Sequence, residues 1–244
     1  MSDDAVNYVE LAERYGLEPI PESVSRLTKL VARQEADIDE IAKVIKQDKA
    51  LTQRLLRAAN PRALSDADMD IDNVEDALMR TGVGCALLLA MGAPLTVALA
   101  KAFQTMIGMK IESVHPNSLS RFPGEHVLGT IGFSGRAEGE VFLSLSLEGS
   151  KNIASKILGI PPAEINPDTD VNDAVGEMLN IVTGNLKSNL CDAGLDCKLR
   201  PPVVTRIKGF KVQTVPGGGL ERMAFRGPQL TMFVDVTVNP FADD

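Results

Sequence analysis

The sequence predicts an α+β protein in which an all-helical first part precedes a part that packs helices on an antiparallel sheet. Two patterns support this prediction. From residue 5 to about residue 92, apolar residues recur at the spacing of helical turns, and no strand pattern occurs. After residue 107, apolar and polar residues alternate in several runs, which is typical of strands with one buried face. We therefore divide the chain into a helical segment, residues 1–92, and an α/β domain, residues 93–244.

The helical segment is predicted to contain several short amphipathic helices. Asp37 followed by Glu40 indicates a capping box at the start of one of them, because each side chain can accept a hydrogen bond from the backbone of the other residue. A polar loop over residues 65–72 separates these helices from a last one that starts near Val74. The apolar residues at helical spacing are Val24, Leu27, Leu30 and Val31, then Ile38, Ile41, Ala42 and Ile45, then Leu51, Leu55 and Leu56.

One uncharged run, residues 82–100, has nearly the length of a membrane-spanning helix. It contains Gly92, Ala93 and Pro94 in succession, and a glycine closely followed by a proline commonly ends one helix and starts another. We therefore expect two buried helices that meet at a break, and no insertion into a membrane.

The second part is expected to alternate helices and paired strands. It begins with an amphipathic helix over residues 95–107. The expected elements that follow are strands at 127–133 and 138–147, helices at 151–158 and 173–189, and a second group of strands between 203 and 238, with turns at 134–136, 216–219 and 227–228. This order suggests a weak internal repeat with helices on an antiparallel sheet.

Composition narrows the choice of partners and location. The chain has a formal net charge of −8 and no tryptophan, whereas nucleic-acid binding relies on basic surfaces and stacking aromatic residues. We therefore expect no nucleic-acid partner.

Cys85, Cys191 and Cys197 form neither a metal-ligand nor a disulfide pattern, which suits a reducing cytoplasm. The acidic start of the sequence lacks the features of a signal peptide, so we expect a cytoplasmic protein.

The helix predicted over residues 173–189 is the most informative stretch, because it has two opposite stripes. The apolar stripe, suited to face a core, is Val171, Val175, Met178, Val182 and Leu186. The other stripe is Asp173, Glu177, Asn180, Gly184 and Lys187. A carboxylate can pair with a partner's lysine, and a carboxamide can hold a water molecule with its donor and acceptor ends. Glu177 and Asn180 are therefore the candidate catalytic residues for hydrolysing a phosphoryl group held by another protein.

A solvated helix face is the alternative interpretation of this stripe, because Glu-x-x-Asn alone is a common pattern. Asp173, near the start of its helix, first complements the helix dipole, with Asp170 as the expected cap. Gly176 and Gly184 would permit close approach of a neighbouring or partner backbone. We take Asp173, Gly184 and Lys187 as candidate partner-binding residues.

From about residue 94 to residue 239, the sequence resembles the CheX branch of the CheC/CheX/FliY chemotaxis phosphatases. The matching stretches are residues 130–135 (TIGFSG), 176–180 (GEMLN), 192–194 (DAG) and 201–203 (PPV). The family motif is an Asp or Ser, a Glu, an Asn and a later proline, which here fit Asp173, Glu177, Asn180 and Pro202. The predicted helix at 95–107 has no Glu-x-x-Asn, and a single motif helix resembles CheX more than CheC.

The first part resembles the HDOD domain, a helical signalling module of bacterial proteins. The matching stretches are residues 17–21 (LEPIP), 39–48 (DEIAKVIKQD) and 51–60 (LTQRLLRAAN). The resemblance implies a binding or signalling role for a shortened version of that domain.

The CheX resemblance implies a phosphatase that acts on the aspartyl phosphate of a CheY-like receiver domain. Asn180 would orient the attacking water and Glu177 would pair with the receiver's lysine. The receiver would supply Mg²⁺, and this chain would need no cofactor or metal of its own, because such hydrolysis depends on positioning and charge compensation. Two alternatives stay open. The same helix could dock a receiver without hydrolysis, or the chain could be an oligomeric scaffold, since members of this family can pair through sheet edges as homodimers.

Overall fold

The computed structural model describes residues 22–33, 37–60, 71–119, 125–192, 194–208 and 219–239. The features expected at residues 5–21, 65–70 and 216–218 lie outside the described residues. The helical part contains α1 Glu22–Val31, α2 Ile38–Gln47, α3 Lys49–Ala59 and α4 Val74–Thr81. Most of the apolar residues that predicted these helices are buried, which confirms them.

Side-chain caps start two of these helices. Asp48 and Asn73 each accept a hydrogen bond from a backbone N–H in the first turn of α3 and α4, at 3.0 and 2.8 Å. The capping box predicted at Asp37 is wrong, because the Asp37 side chain makes no capping hydrogen bond. Its backbone carbonyl instead accepts the N–H groups of Glu40 and Ile41 at 3.0 and 3.2 Å. The start of α2 is therefore held by the main chain alone.

A long helix, α5, runs over Val83–Ala102 and continues into one π-helical turn, Phe103–Ile107. The main chain stays helical across the break that we expected between Gly92 and Pro94. The two arms expected there, Val83–Gly92 and Leu95–Ile107, are present and meet at a bend of 41°. Proline lacks the N–H that would bond to the preceding turn, so it bends a helix that packing holds together on both sides. The predicted division between residues 92 and 93 coincides with this bend, inside a helix.

No single helix in the described part of the chain is both long and apolar enough to cross a membrane. The two arms of α5 meet that criterion together, by length and composition only. Both arms bury side chains in the hydrophobic core, among them Ala86, Leu87, Leu95, Leu99 and Phe103. The bend therefore lies within a helix that the protein itself covers.

The second part forms one antiparallel sheet, which has seven strands within the described residues. Their order is β1–β6–β7–β3–β2–β4, and β5 pairs with the rest of the β2 edge. The strands are β1 Glu112–Val114, β2 His126–Gly135, β3 Glu138–Ser146, β4 Cys197–Leu199, β5 Val203–Ile207, β6 Gly219–Gly227 and β7 Leu230–Asn239. Alternate residues of β3 and β7 are buried, such as Val141, Leu143 and Val234. The predicted strands are confirmed.

Two helices, α6 Leu147–Leu158 and α7 Asp170–Asp192, pack against this sheet. α7 lies so close to β2 that a Cβ built at Gly129 would come 2.4 Å from Leu179 Cδ1 and 2.9 Å from Val175 Cγ1. Because only a residue without a side chain allows this approach, Gly129 sets the height of α7 above the sheet. Helices on an antiparallel sheet, after an N-terminal helical part, confirm the predicted α+β class.

The helical part and the sheet meet at Arg54 of α3. Its Nη1 donates to the carbonyl oxygen of Leu89 in α5 at 2.6 Å, and its Nη2 donates to Glu221 Oε1 in β6 at 2.6 Å. Burial raises the pKa of Glu221, and the guanidinium of Arg54 opposes that rise. A Cβ built at Gly92 would come 2.9 Å from the same Oε1. Glycine at this position therefore leaves room for the ion pair beside the bend of α5.

Candidate functional site

Local hydrogen bonds shape the turn that precedes α7, the helix that carries the predicted site. Asn166 Oδ1 accepts from the backbone N–H groups of Asp168 and Thr169 at 2.8 and 3.2 Å. Asp170, which we expected as the cap, is instead the first residue of the helix. Its carboxylate bonds backward and accepts from the Asn166 N–H at 2.8 Å. These bonds fix the direction in which α7 starts.

The two stripes predicted for α7 are present in the structure. The apolar stripe is buried throughout, as Val171, Val175, Met178, Val182 and Leu186. On the polar stripe, Asp173, Glu177 and Asn180 are exposed, while Gly184 and Lys187 are partly exposed. Burial of one stripe against the sheet fixes the rotation of the helix about its axis. The same packing therefore turns Glu177 and Asn180 toward solvent.

A groove of about 410 Å³ lies between α7 and the segment that leads into β5. Its lining residues are Asn172, Asp173, Gly176, Glu177, Asn180, Pro202 and Val204. The structure thus brings together Asp173, Glu177 and Asn180, along with the proline that fits the family motif. Gly184 and Lys187 lie farther along α7 and do not line this groove.

The polar groups of the groove are free to meet a partner. The side chains of Asp173, Glu177 and Asn180 make no hydrogen bond or ion pair with any residue in the described ranges. The α7 wall offers two carboxylates, Asp173 and Glu177, and two carboxamides, Asn172 and Asn180, whereas the opposite wall, Pro202 and Val204, is apolar. Such a groove suits a cationic group with an apolar stem, and a carboxamide in it can hold a water molecule.

Sequence reasoning missed two of the lining residues, and the close approach of a neighbouring backbone that we expected at Gly176 is absent among the described residues, while an approach by a partner stays a prediction. Asn172 lies one helical turn before Gly176, so helical spacing could have placed it in the groove. Val204 reaches the groove only because β5 pairs with β2, which no local signal shows. A Cβ built at Gly176 would lie 3.7 Å from Pro202 Cγ, an ordinary contact that needs no glycine.

Neither Gly184 nor Lys187 makes a side-chain hydrogen bond or ion pair with the residues that the structure describes. A Cβ built at Gly184 would meet nothing within 4 Å in the described part of the protein. Lys187 lies near Cys197, where burial raises the pKa of the thiol to about 11 and Lys187 opposes that rise. The roles of both residues toward a partner stay predictions.

Family models match both parts of the chain. Residues 127–221 match the model described as chemotaxis phosphatase CheX, and residues 17–120 match the HDOD domain. The chain combines an HDOD-like helical segment with a CheX-like domain. Both resemblances drawn from the sequence are thereby confirmed. The HDOD match passes the predicted boundary at residue 92 and includes all of α5, and the CheX match includes every residue that lines the groove.

Solved structures share the fold of the CheX-like domain. The chemotaxis protein CheX from Vibrio vulnificus is 26% identical with a TM-score of 0.51, and the match covers 60% of this chain and 95% of that one. A CheC-like superfamily protein from Shewanella sp. PV-4 is 26% identical with a TM-score of 0.52, over 61% of this chain and 97% of that one. A chemotaxis protein CheX from Desulfovibrio desulfuricans, at 19% identity and a TM-score of 0.50, covers 61% and 99% and agrees in fold. No curated protein matches the chain.

Proposed function

We propose that this protein hydrolyses the aspartyl phosphate of a CheY-like receiver domain in bacterial chemotaxis or a related signalling system. The observation that carries the proposal is the groove in which Glu177 and Asn180, one turn apart on α7, present side chains without partners among the described residues. These residues stand where the motif of chemotaxis phosphatases requires them, inside the region that matches the CheX model.

Asn180 is the residue that acts on the water. An aspartyl phosphate is an acyl phosphate and is already activated, so its hydrolysis needs a water molecule held in line with the bond that breaks. A carboxamide suits this task, because its oxygen accepts a hydrogen bond from the water while its N–H groups donate to a phosphoryl oxygen. The amide needs no shift of pKa and forms no covalent intermediate.

Glu177 fixes the orientation of the two proteins relative to each other. Its carboxylate pairs with a lysine ammonium beside the receiver's phosphorylated aspartate, and Asp173 adds a second negative charge on the same wall of the groove. Charge pairs of this kind orient partners and select among them. Mg²⁺ bound by the receiver would compensate the charge that develops on the phosphoryl group, and we assign no metal ligand to this chain.

The test is decay of a phosphorylated receiver, using purified receivers of the same organism loaded with a small phosphodonor. Asn180→Ala should lower the turnover number sharply and leave the receiver affinity nearly unchanged, because the amide acts on the water. Glu177→Ala should instead raise the receiver concentration needed for half-maximal rate, because truncating one partner of a close charge pair commonly costs about 2–5 kcal/mol. Asn189→Ala is the matched control, since Asn189 lies on α7 outside the groove.

The outcomes separate hydrolysis from binding alone. If Asn180→Ala removes the phosphate as fast as wild type, the catalytic role is wrong, and the groove serves to dock a receiver without hydrolysis. A KM for the phosphorylated receiver that is unchanged in Glu177→Ala would contradict the role of Glu177 in orienting the receiver. A cytoplasmic location and homodimer formation stay predictions.

A further inference from the structure

The groove extends beyond Glu177 toward the start of α7, where it ends at Asn172. The Oδ1 atom of Asn172 is buried and has no hydrogen-bond partner among the residues that the structure describes. Its amide nitrogen makes no hydrogen bond within the described residues either. Buried polar atoms in proteins are nearly always paired, so an unpaired one that borders an open groove calls for a partner from outside the chain.

The amide of Asn172 can reach the groove without movement of the helix. The terminal torsion of an asparagine side chain is soft and roughly two-fold, so a turn about Cβ–Cγ can bring the oxygen from its buried position to the position that the amide nitrogen now occupies. No hydrogen bond to a described residue holds the amide in the orientation that the structure shows. A docked donor that drew the oxygen into the groove would therefore break no existing hydrogen bond.

The surroundings of Asn172 select the chemistry of that donor. Asp173 and Glu177 bring two negative charges, neither of them paired with a cation in the part of the chain that the structure describes. Arg206 in β5 forms no ion pair with either carboxylate, and its Nη2 instead donates to the Pro167 carbonyl oxygen. The opposite wall, Pro202 and Val204, is apolar and suits an aliphatic stem.

We propose that Asn172, with Asp173, forms a second subsite that accepts a lysine or arginine side chain of the docked receiver, separate from the lysine that pairs with Glu177. The Asn172 oxygen accepts a hydrogen bond from the ammonium or guanidinium group, and its stem lies on Pro202 and Val204. This subsite rests on the proposed function for the identity of its partner. It sets receiver affinity and selectivity, and it takes no part in hydrolysis.

Two variants test the subsite with the full-length protein and a phosphorylated receiver. Asn172→Leu keeps the approximate size and removes the acceptor, and should raise KM about tenfold, the loss expected for one hydrogen bond to a charged group, with kcat retained. Asn172→Asp keeps an acceptor and adds charge, so it should lower KM at low salt and make KM more dependent on salt concentration. Asn189→Leu is the matched control on the same helix.

Further measurements separate this subsite from a structural role and from the proposed phosphatase activity. If Asn172 only supports the fold, Asn172→Leu should lower the midpoint of thermal unfolding. If Asn172 instead serves to bind the receiver, the midpoint of Asn172→Leu should equal or exceed that of wild type. Unchanged KM in Asn172→Leu, with wild-type hydrolysis intact, would overturn the subsite and leave the phosphatase proposal standing. Conversely, weaker binding of an unphosphorylated receiver to Asn172→Leu supports the subsite even if no hydrolysis occurs.

Discussion

Replacing Arg54 by methionine should weaken the junction between the helical segment and the CheX-like domain. Methionine keeps an unbranched stem of similar reach and removes the guanidinium. The variant therefore loses both the bond to the Leu89 carbonyl and the bond to Glu221, each 2.6 Å long. It leaves a carboxylate and a main-chain oxygen without their donor beside the bend of α5.

The magnitude follows from these two bonds. A hydrogen bond that involves a charged group contributes about 1.5–3 kcal/mol to stability. Since 33% of the Arg54 side chain and 16% of the Glu221 side chain remain exposed, solvent screens part of the interaction, and the lower end of the range applies to each bond. We expect the free energy of unfolding to fall by about 3 kcal/mol at neutral pH.

The loss should depend on pH through Glu221. Burial raises the pKa of this carboxyl in the folded protein above its ordinary value of 4.5. The stability that Glu221 contributes is therefore fully present below pH 4.5 or so and is lost as the pH rises through the raised pKa. Without the opposing guanidinium, the pKa of Glu221 in the folded protein moves still higher. Between pH 4.5 and neutral pH, the variant therefore loses more of its free energy of unfolding than wild type does. The difference from wild type should be largest at neutral pH and smaller near pH 4.5.

The assay is urea unfolding followed by circular dichroism at both pH values, with the midpoint and the slope compared. Arg57→Met is the matched control, because Arg57 is exposed on the same helix and its replacement should change stability by no more than about 0.5 kcal/mol. If Arg54→Met unfolds at the same urea concentration as Arg57→Met, the ion pair does not hold the junction. A large loss that is equal at both pH values would refute the role assigned to Glu221.

Two glycines give further predictions. Gly129→Ala should destabilise the protein by about 1–3 kcal/mol through overpacking, since its Cβ would come 2.4 Å from Leu179 Cδ1; thermal unfolding measures the loss, and an unchanged midpoint would show that α7 adjusts freely. Gly184→Ala should stabilise α7 by about 0.5–1 kcal/mol, because a Cβ there meets nothing within 4 Å. The same variant should weaken receiver binding in a titration if Gly184 allows close approach of the partner, and equal affinity would remove Gly184 from the interface.

The local pattern of apolar and polar residues was sufficient to predict most of the secondary structure. The alternation of Val141, Leu143, Leu145 and Leu147 predicted β3 as a strand with one buried face. The first three side chains are buried, whereas Leu147 is the first residue of α6. The two stripes of α7 likewise emerged from spacing alone, because a helix repeats every 3.6 residues wherever it packs. That spacing also placed Glu177 and Asn180 on the outward face before any neighbour was known.

The sequence predicted only one of the two walls of the groove. Its α7 wall consists of residues at helical spacing, so Asp173, Glu177 and Asn180 were found together. The opposite wall depends on β5 pairing with β2, a contact between segments far apart in sequence. The resemblance singled out Pro202, but nothing local singled out Val204.

Tertiary structure decided the features that depend on what packs beside them. Propensity alone breaks a helix at Pro94, yet α5 continues with a bend of 41°, because burial of both arms in one core outweighs the loss of a hydrogen bond. Arg54 and Glu221 are 167 positions apart, and no short-range pattern relates them. The sequence by itself therefore determined the type and facing of the longer regular elements, since those follow from backbone periodicity and side-chain polarity, whereas the short strands β1 and β4 carried no such pattern. The joining of the two parts and the second wall of the groove required the folded chain, since they depend on contacts that form only when distant segments meet.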